Sequence, residues 1–220
     1  MPISNNDKTR LRSSLLLYAV SDSQWLKVDE TLYDAIEQAI RGGVSFVQVR
    51  EKHMDTDDLI ELAKPLVSLC DQHKVPFVIN DDIRAAKKLG VGVHIGQDDA
   101  SLKEARELLG DDAIIGVSVQ TLEQAQEAQA SGADYLGIGS LVFTPTKPDA
   151  KVLSIKQASQ IARAVDIPTV AIGGINLDTL DTLSGTFFDG IAVVSAIFKS
   201  DDKQQAAKEL RCKVQQILAR

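Results

Sequence analysis

The chain has 220 residues, with 31 acidic against 24 basic side chains and a net charge of −7. Hydrophobic residues make up 44% and charged residues 25%, an ordinary globular composition that excludes wholesale disorder, collagen and a disulfide-stapled miniprotein. The acidic balance argues against nucleic acid or an anionic membrane as main partner, because both reward a basic face, but it leaves room for a small anion in a locally basic pocket. No apolar run approaches the ~18 residues of a membrane span. The first ten residues are polar and carry no apolar signal region. Cys70 and Cys212 sit in no metal-ligand or CxxC spacing, so both are expected to be buried, reduced and inert. The chain therefore reads as cytoplasmic.

Residues 1–14 read as a polar N-terminal extension, and residues 15–220 as a single domain. Within that domain short apolar runs recur at 15–20, 45–49, 77–79, 92–95, 113–117, 134–138, 169–172 and 190–194. They are β-branched and continuous rather than alternating, which suits strands buried on both faces of a parallel sheet. The spacers read as helices. Residues 31–41 carry Leu32, Ala35, Ile36, Ala39 and Ile40 at helical spacing, and Gly42-Gly43 ends the pattern. Thr56 is expected as the next N-cap, with Asp57 and Asp58 favourable in the first turn. Pro65 falls inside the apolar pattern that follows and is expected to kink or split it. Ser101 with Glu104, and Thr121 with Gln124, each fit a capping box. Asn176 is expected to cap the helix after the seventh strand. The last helix, about 202–218, presents Ala206, Leu210, Val214 and Ile217 on one stripe.

Eight strands alternating with about eight helices predict a compact α/β fold, a single (β/α)8 TIM barrel. The competing doubly wound sheet lacks its GxGxxG turn after the first strand. A barrel places its active site at the C-terminal ends of the strands. Those ends read Gln48-Val49-Arg50-Glu51-Lys52, Asn80-Asp81-Asp82, Gly96-Gln97-Asp98-Asp99, Ser118, Thr144-Pro145-Thr146-Lys147, Gly173-Gly174 and Val194-Ser195. Glycines after strand seven and a small residue opening a helix after strand eight are where barrels often bind phosphate, although the glycines can also serve only a tight turn. Asp81 and Asp99 close neighbouring strands. They can share Mg²⁺ through oxygen ligands, or the Asp pairs can simply cap the helices that follow. Arg50, Lys52 and Lys147 put three cations on the same rim. His53 and His73 lie in polar stretches and read as surface residues. His94 reads as a satisfied histidine inside its strand. No Ser-His-Asp, Cys-His or HExxH arrangement is present.

Taken in order, these strand ends, with His94-Ile95, Gly116-Val117-Ser118 and Val193-Val194-Ser195-Ala196-Ile197, resemble the thiamine phosphate synthase family over about residues 15–198. The resemblance implies an enzyme that joins a pyrimidine diphosphate to a thiazole phosphate, releasing thiamine monophosphate and diphosphate with Mg²⁺ as cofactor. It implies Asp81 and Asp99 as metal ligands. It implies Gln48, Val49, Arg50, Glu51, Lys52, Asn80, Ser118 and Lys147 at the pyrimidine diphosphate. Of these, Arg50, Lys52, Ser118 and Lys147 would be catalytic. Thr144, Thr146, Gly174, Val194 and Ser195 would hold the thiazole phosphate. The small-molecule substrates are then the partners, and a homo-oligomer is compatible with this reading. The competing readings are a thiazole tautomerase, a sister barrel whose histidine position is matched here by Ser140, and a non-catalytic barrel that binds a phosphorylated ligand. The N-terminal tail and the loop carrying Trp25 match no motif of the family.

Overall fold

The β-branched runs form eight parallel strands that close on themselves in chain order, β1 pairing with both β2 and β8. In this computed structural model, residues 8–97, 99–142 and 152–218 are described. The strands are β1 (Leu17–Val20), β2 (Phe46–Val49), β3 (Phe77–Asn80), β4 (Gly92–Ile95), β5 (Ile115–Val119), β6 (Tyr135–Ile138), β7 (Thr169–Ile172) and β8 (Gly190–Val193). The helices are α1 (Lys8–Ser14), α2 (Leu32–Arg41), α3 (Thr56–His73), α4 (Ile83–Leu89), α5 (Leu102–Leu109), α6 (Leu122–Ala130), α7 (Ile155–Arg163), α8 (Ser195–Phe198) and α9 (Lys203–Ile217). The chain is thus a (β/α)8 TIM barrel.

Successive strand residues point alternately inward and outward, which divides the core into two layers. Leu17, Ala19, Val47, Val49, Ile79 and Ile95 face the helices. Tyr18, Phe46, Val78, Tyr135, Val170 and Ala192 fill the barrel itself. Helix α1 crosses the end of the barrel where the strands begin. Its Leu11 joins the inner layer, and its Arg12 guanidinium binds Asp189 at 2.5 Å and the carbonyl of Asp166 at 2.6 Å. Both partners lie just before a strand, so the polar-looking N-terminal segment ties down the closed end of the barrel.

Local chemistry accounts for most helix ends. The capping boxes at Ser101–Glu104 and Thr121–Gln124 form, and two more appear at Thr31–Asp34 and Ser154–Gln157. Several expectations need correction. Asp55, not Thr56, caps α3 by accepting from the Asp58 N–H at 3.0 Å. The hydroxyl of Thr56 instead donates to Asp82 at 2.6 Å. Helix α3 runs unbroken through Pro65, because that residue is exposed and the carbonyl it leaves without a donor can reach water. No α-helix follows β7 directly. Asn176 accepts from the N–H groups of Asp178 and Thr179 and so builds a turn, which leads into a short 3₁₀ segment, Leu180–Leu183. On α9 the buried stripe is Lys203, Ala207, Leu210 and Val214 rather than one through Ala206. Cys70 is buried as expected, but Cys212 is exposed, since α9 turns it away from the barrel.

Candidate active site

The open end of the barrel holds a cavity of about 460 Å³. Gln48, Arg50, Lys52, Asn80, Asp81, Asp99, Ser118, Gly174, Val194 and Ser195 all line it. Residues from six strand ends, scattered between positions 48 and 195, are therefore neighbours in space. Two residues of the β2 motif lie elsewhere. Val49 is fully buried among the helices, as strand alternation requires between two inward neighbours. Glu51 accepts from the Ser21 hydroxyl at 2.8 Å, and Ser21 in turn accepts from the Arg50 N–H at 2.9 Å. This tie fixes the loop after β1 against the loop that carries Arg50. Thr144, Thr146, Lys147 and Asp98 lie outside the described residues.

The two Asp pairs divide their work where they are described. Asp82 caps α4, accepting from the N–H groups of Arg84 and Ala85. Asp81, one residue earlier, adopts φ +63 and so turns its carboxyl into the cavity instead. Its own N–H donates to the His94 carbonyl at 2.8 Å, and the Asn80 amide donates to its carboxylate at 2.5 Å. Asp99 accepts from the Gly96 N–H at 2.7 Å. A Cβ on Gly96 would come within 2.6 Å of that carboxylate, so glycine is what lets the loop close on it. Burial, followed by the hydrogen bond to Asp99 and its negative charge, pushes the Asp81 carboxyl up to about 7. Asn80 and the charge of Arg50 oppose that rise. Two acids crowded in this way, with cations close by, form a donor set that suits a hard divalent cation whose other ligands are waters and ligand oxygens. Among the described residues no cluster of three or more metal-ligating side chains occurs.

The opposite wall is built for close approach. Gly173 and Gly174 adopt φ +97 and +68, where a side chain would be strained. A Cβ on Gly173 would meet Ser140 at 2.1 Å, and one on Gly174 would meet Val142 at 2.5 Å. The glycines therefore serve both the turn and the packing, and they leave backbone facing the cavity beside Val194 and Ser195. Ser140 donates its hydroxyl to the Val142 carbonyl at 2.7 Å and contributes no ionisable group.

Sequence reasoning missed what lies beneath the cavity. His94 is buried, with its two ring nitrogens 2.9 Å from Tyr135 Oη and 2.9 Å from Ser118 Oγ. Tyr18 and Gln48 continue the chain of contacts on the other side of Tyr135. Tyr18 and Tyr135 sit inside apolar strand runs, where no motif sets them apart from core residues. The available signal was Gly116, whose missing side chain makes the space that the Tyr135 ring fills. His53 and His73 are exposed, as expected.

Comparison with known proteins places the chain in a family. A family model described as thiamine monophosphate synthase matches residues 17–197. A thiamine-phosphate synthase of Clostridium acetobutylicum is 45% identical over 193 residues, covering 87% of this chain and 91% of its own. One from Campylobacter jejuni is 44% identical over 208 residues, covering 94% and 96%. The solved thiamine phosphate pyrophosphorylase of Pyrococcus furiosus superposes with a TM-score of 0.87 at 36% identity, covering 95% of this chain and all of the other. With its strand-end residues gathered at one cavity and a family match spanning nearly the whole barrel, this chain belongs to the thiamine monophosphate synthase family.

Proposed function

We propose that the protein condenses the diphosphate of 4-amino-2-methyl-5-hydroxymethylpyrimidine with a thiazole phosphate, giving thiamine monophosphate and free diphosphate. The observation that carries this reading is the cavity itself. It sets Asp81 and Asp99 near Arg50 and Lys52 on one wall, and the bare Gly173-Gly174 backbone on another. Two differently built anion sites in one cavity suit two phosphorylated substrates.

Diphosphate is the leaving group, so the main task is to stabilise departing negative charge. Mg²⁺ held by Asp81 and Asp99 would supply positive charge there as a Lewis acid. Arg50 offers a bidentate grip on phosphate oxygens, and Lys52 adds a mobile point charge. The family resemblance adds Lys147 to these cations. Gln48, Asn80 and Ser118 orient the pyrimidine end. Gly174, Val194 and Ser195 hold the thiazole phosphate, with Thr144 and Thr146 joining by resemblance. The pyrimidine ring delocalises the methylene cation left behind, and the thiazole nitrogen, which has no proton to lose, attacks it. No general base is needed, which fits a cavity with no catalytic cysteine and with His94 engaged inside the barrel. The tautomerase reading needs a proton-transfer group at Ser140, whose hydroxyl is committed to a backbone carbonyl. The non-catalytic reading has no use for two crowded carboxylates.

Two tests follow. Electron-withdrawing substituents on the pyrimidine should slow a chemical step that begins with ionisation; an unchanged rate for that step would refute the ionisation-first order. Asp81→Asn should cut turnover by orders of magnitude without lowering the melting temperature. Asn tolerates φ +63 and relieves the crowding with Asp99. Near-normal turnover with unchanged Mg²⁺ dependence would remove Asp81 from the metal site.

A further inference from the structure

Five side chains from five strands form one continuous polar chain through the barrel interior. The Gln48 amide nitrogen donates to Tyr18 Oη. Tyr18 Oη lies 2.8 Å from Tyr135 Oη. Tyr135 Oη lies 2.9 Å from His94 Nδ1, and His94 Nε2 lies 2.9 Å from Ser118 Oγ. Gln48 and Ser118 line the cavity, as do Tyr18 and His94, and Tyr135 joins them from behind. The three middle side chains are buried, with Tyr18 1%, His94 6% and Tyr135 0% exposed, so little of their surface is open to competing water. Two strand glycines give these side chains room. A Cβ on Gly116 would come within 2.1 Å of the Tyr135 ring, and one on Gly137 within 3.3 Å of the His94 ring.

Proton counting gives the chain a direction. Each phenol has one proton to donate. Tyr18 accepts from Gln48, so its proton goes to Tyr135. Tyr135 accepts from Tyr18, so its proton goes to His94 Nδ1. His94 then carries its proton on Nε2 and donates to Ser118 Oγ. Ser118 accepts from His94, and its hydroxyl has no further partner among the described residues. Burial raises the pKa of both phenols, which keeps them neutral and preserves the count.

We propose that this chain fixes Ser118 as a hydrogen-bond donor toward the cavity, with Tyr18, Tyr135 and His94 as its positioning residues. The occupant of that bond is an acceptor atom of the pyrimidine diphosphate, an identification that rests on the function proposed above. Reversing the Gln48 amide would reverse every link. Ser118 would then spend its proton on His94, and Gln48 would present N–H groups to the ligand. The two ends of the cavity are therefore coupled through the barrel, and the polarity at one sets the polarity at the other.

The direction is testable without turnover. In the full chain labelled with ¹⁵N-histidine, long-range ¹H–¹⁵N correlation should show His94 locked as the Nε2–H tautomer, with the exposed His53 and His73 as internal references. Tyr135→Phe keeps the ring in its space beside Gly116 and removes only the relay hydroxyl, so that locked signature should be lost. In the synthase assay, Tyr135→Phe should lower kcat about tenfold, the scale of one lost hydrogen bond to a charged group. KM for the thiazole phosphate should stay unchanged. In a Ser118→Ala background the same substitution should add nothing, because its effect passes through Ser118. An Nδ1–H tautomer in the wild-type protein would overturn the proposal. So would a Tyr135→Phe loss that persists in full in the Ser118→Ala background. Tyr18→Phe, one link further away, provides the same readouts should the first variant fold poorly. A protein that makes no product yet shows the Nε2–H tautomer would refute the proposed reaction and leave the chain standing.

Discussion

Lys203 is the most deeply buried charge in the fold among the described residues, with its side chain 1% exposed. Its ammonium lies 2.7 Å from Glu30 and 3.3 Å from the Ser200 carbonyl, and so ties the start of α9 to the loop after β1. Glu30 is less enclosed, at 12% side-chain exposure, and also accepts from the Lys27 N–H and the Gln38 amide. The two partners should therefore fail differently. Glu30→Gln strands an ammonium that water cannot reach and should cost about 3–5 kcal/mol. At roughly 2–4 °C per kcal/mol for a chain of this size, the melting temperature should fall by about 6–20 °C. Lys203→Met keeps the alkyl bulk and strands only a carboxylate near the surface, so its loss should be about half as large. The double variant removes both charges and should recover most of the loss, because a buried pair replaced as a unit is close to neutral. Burial raises the Glu30 carboxyl, but the hydrogen bonds and charges of Lys203 and Lys27 outweigh it and leave the pKa below its usual value of 4.5. A depressed carboxylate stabilises the fold above the unfolded-state value and loses that contribution as pH falls through the folded-state value. The wild-type advantage over the double variant should thus shrink as the pH falls below about 4.5. Thermal unfolding of the four proteins by circular dichroism, at pH 7 and across the acid range, measures all of this. A double variant as unstable as the sum of the singles would refute the reasoning.

Two smaller predictions rest on packing. Gly116→Ala would drive a Cβ within 2.1 Å of Tyr135 in a strand with little freedom to move. It should cost about 1–3 kcal/mol in urea unfolding, whereas an unchanged midpoint would show that the ring can shift. Burial pushes the Cys70 thiol up to about 12 while Cys212 is exposed. Alkylation at pH 8 followed by mass spectrometry should therefore modify Cys212 in the folded protein and Cys70 only after denaturation. Modification of Cys70 in the folded protein would contradict its burial.

Strands were legible because parallel strands buried on both faces need continuous β-branched runs, and those runs stand out between polar helices. Capping boxes were legible because their chemistry is local, as at Ser101–Glu104. The rim was legible through the rule that barrel strands end at the site. What stayed hidden depended on exposure or on distance in the chain. The sequence marks Pro65 as a breaker but does not say that it faces water. Asp55 and Thr56 are both good caps, and the choice turns on Asp82, which caps α4 and claims the Thr56 hydroxyl. Lys203 reads as an ordinary surface lysine until the fold brings Glu30 to it across 173 positions. Tyr18 and Tyr135 read as core aromatics, because the hydroxyl contact that joins them spans the barrel.

The central claim is tested most directly by product formation. The pure protein, both substrates and Mg²⁺ would be combined, and the product oxidised to its fluorescent thiochrome form, with EDTA and Asp99→Ala as controls. The account predicts thiamine phosphate that disappears in both controls. It would be contradicted by a folded protein that binds thiazole phosphate yet yields no product, or by turnover that persists undiminished after the metal is removed.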